Sequence, residues 1–109
     1  MASSKEYLDF ILGQLSGLPD VRCKAMMGEY ILYYRGKIIG GIYDDRFLVK
    51  PVKAARVLMP EAALERPYEG AREMLLVDEV DDREFLEQLL EAMYDELPDK
   101  AAPKSRRIK

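Results

Sequence analysis

Apolar residues along this chain change their period several times, and each change predicts an element. Tyr7, Leu8, Ile11, Leu12, Leu15 and Leu18 recur at helical spacing and form one stripe, which predicts a first helix that Gly17 to Pro19 brings to an end. Ser3-Ser4-Lys5-Glu6 ahead of it has the form of a capping box, with Ser3 accepting from an amide of the first turn. From residue 21 the period falls to two. Val21, Cys23, Ala25 and Met27 alternate with Arg22, Lys24 and Met26, which predicts a half-buried strand over 21–27. On that reading Cys23 lies on the apolar side as an inert core thiol.

Two further runs, 30–34 and 37–43, are rich in β-branched and aromatic residues, and only Arg35-Gly36 separates them. A two-residue hairpin requires this spacing. Asp44-Asp45 begins the turn into a strand over 47–50, so the whole stretch reads as a β-meander. Pro51 opens a short helix over 52–59, where a missing amide is tolerated, and Pro60 stops it. Residues 61–70, punctuated by Pro67 and Gly70, read as a helical turn followed by loop. The apolar run from Met74 to Val77 predicts a strand over 72–77. Asp81 with Glu84 makes a second capping box before Phe85, Leu86, Leu89, Leu90, Met93 and Leu97, an amphipathic helix closed by Pro98. Its other face carries Glu84, Glu87, Glu91 and Asp95, a solvated acidic stripe. The order α-β-β-β-β-α-β-α predicts an α+β fold, an antiparallel sheet with helices on one face.

At 109 residues the chain fits one domain, assigned to 1–98, with 99–109 as a flexible basic tail. No apolar run approaches the roughly 20 residues that a membrane helix needs. A lone cysteine excludes an internal disulfide and suits a reducing cytoplasm. The net charge of −3 is unevenly spread: residues 1–98 hold twelve Lys/Arg against nineteen Asp/Glu, and the tail holds five basic residues against one acid. An acidic body repels a phosphate backbone, which weighs against nucleic-acid binding by the folded part.

Missing residue types narrow the chemistry further. The chain has no His, Thr, Asn or Trp, so Ser-His and Cys-His nucleophiles, His-bearing zinc sites and imidazole acid/base catalysis cannot be assembled within it. Gly40-Gly41 lies inside a strand pattern and lacks phosphate-loop spacing, so a bulge or close packing accounts for it better. Asp44-Asp45 has no third carboxylate at loop spacing and reads as a turn rather than a cation site. We expect no enzyme activity, no cofactor and no metal.

The joint spacing of Met26, Gly28, Tyr30, Tyr33, Gly36, Gly40, Asp44, Asp45 and Lys50 resembles the signature hairpin of the TfoX N-terminal domain family, the TfoX/Sxy competence regulators of bacteria. Pro67-Tyr68 looks like that family's Pro-Phe element, and Met74 with the residues after it like its last strand. The resemblance spans about residues 5 to 97. It implies a two-layer fold like that of secretion chaperones, and a role in transcription regulation through protein contacts rather than catalysis. Regulators of that group continue into a second, helical domain, which makes a competence role a weaker expectation than a partner-binding one.

Both faces of the meander are apolar or aromatic, and helices on one face leave the other open. That predicts a protein contact built from Tyr30 and Tyr34, or from Ile31 and Tyr33, depending on which set faces away from the helices. A homodimer or a transcription-regulator partner would meet it. The competing reading is a sheet that stacks single-stranded nucleic acid on these tyrosines, with Arg22, Lys24, Arg35 and Lys37 nearby. A small enzyme lacking a recognisable catalytic set is the least supported alternative.

Overall fold

The structure is a computed structural model that describes residues 4–97. Helix α1 (Lys5–Gln14) is followed by strands β1 (Val21–Met26), β2 (Glu29–Tyr34), β3 (Lys37–Ile42) and β4 (Phe47–Val49), then α2 (Lys53–Leu58), β5 (Leu64–Glu65), β6 (Met74–Leu76) and α3 (Arg83–Tyr94). The α+β class and the predicted order hold. The one addition is β5, two residues long, where a helical turn and loop were expected. Residues 98–109, including the basic tail, lie outside the described residues.

One antiparallel sheet runs β1-β2-β3-β4-β6-β5. Its first four strands follow one another because each turn between them is two residues long with both φ positive: Met27 and Gly28 at 55° and 87°, Arg35 and Gly36 at 52° and 86°, Asp44 and Asp45 at 55° and 57°. Two positive φ values mark a type I′ turn, whose twist matches that of the strands it joins. At the third turn Tyr43 and Arg46 exchange backbone hydrogen bonds of 2.9 and 3.0 Å. Met27 therefore belongs to a turn and not to the apolar face of β1, and it is 97% exposed.

Alternation along the strands builds one core against the helices. Leu32 and Tyr34 of β2, Ile39 and Ile42 of β3, Phe47 and Val49 of β4, and Leu75 of β6 meet Leu8 and Ile11 of α1, Ala55 of α2, and Leu86, Leu89, Leu90 and Met93 of α3. A bulge adjusts the alternation in β3. Leu32 pairs with Gly40 and Tyr33 with Ile38, so Ile39 is the extra residue and its side chain is buried.

Both long helices are capped one residue later than the sequence pattern suggested. Ser4, not Ser3, accepts from the Tyr7 amide at 3.1 Å, and Asp82, not Asp81, accepts from the Phe85 amide at 3.0 Å. Each cap is one of two adjacent residues of the same type, so pattern alone cannot separate them. The acidic face of α3 is also more than a solvated stripe, because the Tyr34 hydroxyl donates to Glu91 Oε2 at 2.8 Å.

Gly13 lies inside α1, and a methyl carbon added there would meet nothing within 4 Å. Gly13→Ala should raise stability by about 0.5–1 kcal/mol, through helix propensity and reduced freedom of the unfolded chain. Urea denaturation checks this. A loss of stability would mean that the α1 surface is covered at that point.

Candidate functional site

Of the two alternative sets expected as a contact surface, the structure places Ile31 and Tyr33 on the face away from the helices and Tyr30 and Tyr34 on the helix side. Tyr34 is 0% exposed in the core, with its ring edge-on to Tyr94 at 5.7 Å between centroids. It is therefore corrected from contact residue to core residue. Tyr30 packs against the same core from the helix side. Tyr33 alternates to the opposite face, with Ile31, and both are half-buried. Arg35 and Lys37 also turn to the helix side: the Arg35 guanidinium lies 4.6 Å and the Lys37 ammonium 4.0 Å from the Tyr94 ring centre, and Lys37 donates to the Tyr94 carbonyl at 3.0 Å.

The helix-free face is thus built from Ile31 and Tyr33 of β2, Ile38 and Gly41 of β3, Leu48 of β4, and Tyr43 and Lys50 just beyond the strand ends. Gly41 is needed there because its missing side chain leaves room for the Tyr43 ring. A methyl carbon at Gly41 would come 2.8 Å from that ring and 2.4 Å from the Tyr30 carbonyl oxygen. Gly40 meets β4 in the same way, its added methyl falling 2.0 Å from the Leu48 carbonyl oxygen. The Gly-Gly pair therefore serves a bulge and two close approaches.

This face is not wholly open. The segment 66–73 folds across its β3–β4 half and brings Tyr68 to 6.5 Å from Tyr43, centroid to centroid. Arg46 anchors the start of the segment: it forms an ion pair with Glu65, and its guanidinium also donates to the Arg66 carbonyl at 3.4 Å. Arg66 in turn donates to the Ala71 carbonyl at 2.6 Å, and the Ala71 amide donates to the Tyr68 carbonyl at 3.1 Å. Between segment and sheet lies a cavity of about 500 Å³, lined by Ile38, Tyr43, Lys50, Pro67, Tyr68 and Met74 among others. Burial pushes the Lys50 ammonium below its ordinary pKa. It pushes the Tyr43 hydroxyl up, assisted by Tyr68, Glu29 and Tyr33.

Strand β1 forms the outer edge of the sheet, and five of its six residues are exposed. Cys23 is among them, which corrects the core-thiol expectation: an edge strand outside the helical layer gains no cover from its alternation. Arg22 and Lys24 stand opposite Tyr33 and Ile31 on the helix-free side. Asp44 and Asp45 both serve the turn, with Asp45 Oδ1 accepting the Ser4 amide at 2.8 Å. Among the described residues no group of three or more His, Cys, Asp or Glu side chains could hold a metal ion. No described helix is long and apolar enough to cross a membrane.

The nine positions that carry the resemblance divide by role. Gly28, Gly36, Asp44 and Asp45 supply turn geometry, Gly40 supplies a close approach, Met26 ends the edge strand, Tyr30 packs on the core, and Tyr33 and Lys50 occupy the helix-free face. Tyr68 and Arg72 also line the cavity, and neither was expected as a site residue. The available signal was an aromatic residue after Pro67 in an otherwise polar loop, because a large ring there needs something to lie on.

No family model matches the chain, and no solved structure matches it. It is 34% identical over 110 residues, spanning the whole chain and 93% of the relative, to an uncharacterized 12.7 kDa protein in the trpE 5′ region of Spirochaeta aurantia. With near-complete coverage of both sequences at that identity, the chain belongs to the same family as the Spirochaeta aurantia protein.

Proposed function

We propose that this protein is a non-catalytic, cytoplasmic interaction module, and that it works in bacterial transcription regulation by presenting the helix-free face of its sheet to another protein. The observation that carries this reading is the exposed half of that face. Ile31, Tyr33 and Ile38 lie there only half-buried, with none of the described helices above them, beside an edge strand whose residues are mostly exposed. Apolar surface left this way on a small domain is most useful when a partner covers it. The regulatory part of the proposal rests on the resemblance to the TfoX N-terminal domain. The simplest partner for a self-complementary apolar strand surface is a second copy of the chain.

Tyr33→Glu tests this directly. Wild type should sediment as an associated species at micromolar concentration, and the variant as a folded monomer with an unchanged far-ultraviolet spectrum, because a carboxylate buried in an interface costs several kcal/mol while an exposed one costs little. If the variant unfolds instead, Tyr33 belongs to the core. Strictly monomeric wild type, with no association to a transcription regulator through this face, would refute the proposal.

The placement of Arg22 and Lys24 beside Tyr33 and Ile31 favours one second reading, a stacking surface for single-stranded nucleic acid. Arg35 and Lys37 are committed to Tyr94 on the other side, which leaves this surface weakly basic. A salt-sensitive shift of a labelled oligonucleotide, lost in Lys24→Glu, would establish it.

A further inference from the structure

The cavity beneath residues 66–73 combines features that neither the sheet nor the loop needs for its own stability. Its walls are apolar and aromatic: Ile38 and Tyr43 from the sheet, Pro67 and Tyr68 from the segment, and Met74 at the start of β6. Its volume, about 500 Å³, falls within the range that holds small organic ligands. Tyr43 is 8% exposed and fixed against Gly41; Tyr68 leans on it at an interplanar angle of 60° but is 60% exposed, so much of its ring stays open to a flat molecule. The bracing by Arg46 and Arg66 holds this wall in place without a ligand.

One charged group sits among these apolar walls. Lys50 lines the cavity half-buried, and among the described residues its ammonium makes no hydrogen bond and no ion pair. A partly desolvated cation without a counter-charge is a cost to folding that a methionine of similar length would not incur. Arg72 and Glu73 stand exposed at the rim. Arg72 adds positive potential at the entrance, and the Glu73 carboxylate disfavours a ligand with more than one negative charge.

We propose that this cavity binds a small aromatic monocarboxylate, its ring packed against Tyr68 and its carboxylate paired with Lys50. A carboxylate supplies the counter-charge that the fold omits, and a charge-assisted hydrogen bond in a partly dry cavity is stronger than its surface counterpart. Tyr33 does not line the cavity, although Ile38 belongs both to it and to the proposed contact face.

Titration of the full chain with 2-naphthoate, 2-naphthamide and octanoate, followed by ligand-observed NMR, tests each part. The acid should bind roughly tenfold or more tightly than either the neutral amide or the aliphatic acid, because each lacks one half of the recognition. Lys50→Met should lose that preference and at the same time raise the melting temperature of the free protein, whereas a lysine with a structural role would lower it. Tyr33→Glu should still bind 2-naphthoate as a folded monomer and keep its preference for the acid over the amide, because Lys50 and Tyr68 are untouched, which distinguishes failure of this site from failure of the proposed protein contact. Equal affinity for acid and amide would leave only an apolar groove and overturn the proposal. Equal affinity for 2-naphthoate and octanoate would do the same for its aromatic part. No binding to wild type up to ~1 mM, or unchanged binding in Lys50→Met, would remove the site altogether.

Discussion

Gly40→Ala should destabilise the protein by about 3 kcal/mol or more, the largest effect expected of any single methyl group in this fold. The added carbon would fall 2.0 Å from the Leu48 carbonyl oxygen, 2.7 Å from the Val49 Cα and 2.9 Å from the Leu48 carbonyl carbon. All three are backbone atoms, so no side chain can turn aside and β4 itself must move. Moving it disturbs the Gly40–Val49 and Gly41–Leu48 pairs, and through them the seats of Phe47 and Val49 in the core. Gly36→Ala is the comparison. Gly36 has φ +86° but open space around it, so its cost should be only about 1 kcal/mol of local strain. Urea midpoints of the two variants decide the matter, and a Gly40 variant no worse than the Gly36 variant would mean that β3 and β4 do not approach this closely.

Tyr34→Ala should cost about 3–5 kcal/mol, as expected for deleting a fully buried ring. The ring is 0% exposed and packs edge-on against Tyr94. Tyr34→Phe keeps that packing and loses the hydroxyl bond to Glu91, for about 1 kcal/mol, since the exposed carboxylate can return to water. The two variants together separate packing from hydrogen bonding. Burial holds the Tyr34 hydroxyl above the ordinary tyrosine pKa of 10.0, and the hydrogen bond to Glu91 and that residue's charge add to the shift. A raised value in the folded state means that this group's contribution is complete below pH 10.0 and falls as pH climbs through the folded value. Tyr7 and Tyr43 are raised as well and act in the same direction. Lys50 is lowered and acts oppositely, favouring the folded state more as pH rises toward its ordinary 10.5. Tyr34→Phe should therefore lose stability less steeply than wild type above pH 10.0, measured as melting temperature against pH. Parallel curves would mean that the Tyr34 hydroxyl is not desolvated.

Local chemistry was the legible part of this molecule. Arg35-Gly36 announced its hairpin because few other pairs fit two positive φ values, and the stripe from Leu86 to Met93 announced α3 because only a helix places those residues together. Gly40-Gly41 was readable as a packing device rather than a phosphate loop. Whatever depended on the order of strands was not readable. Alternation in β1 predicted a buried side, yet β1 is the sheet edge and Cys23 is exposed, since its cover depends on elements far away in sequence. The same limit applied to the tyrosines. Alternation separated Tyr30 and Tyr34 from Tyr33, but only the helices decide which set is core. The cavity was hidden for a related reason: Lys50 and Tyr68 are eighteen residues apart and meet only because β6 returns to β4 and draws segment 66–73 over the sheet.

The central claim, that the helix-free face is the one this protein presents to its partner, is tested most directly by hydrogen exchange on wild type at two concentrations spanning its association. Slowed exchange in β2 and β3, residues 29–42, and in the exposed edge β1, with α1 and α3 unchanged, is the predicted result. Protection confined to the outer surfaces of α1 and α3, with the sheet strands exchanging alike at both concentrations, would contradict it.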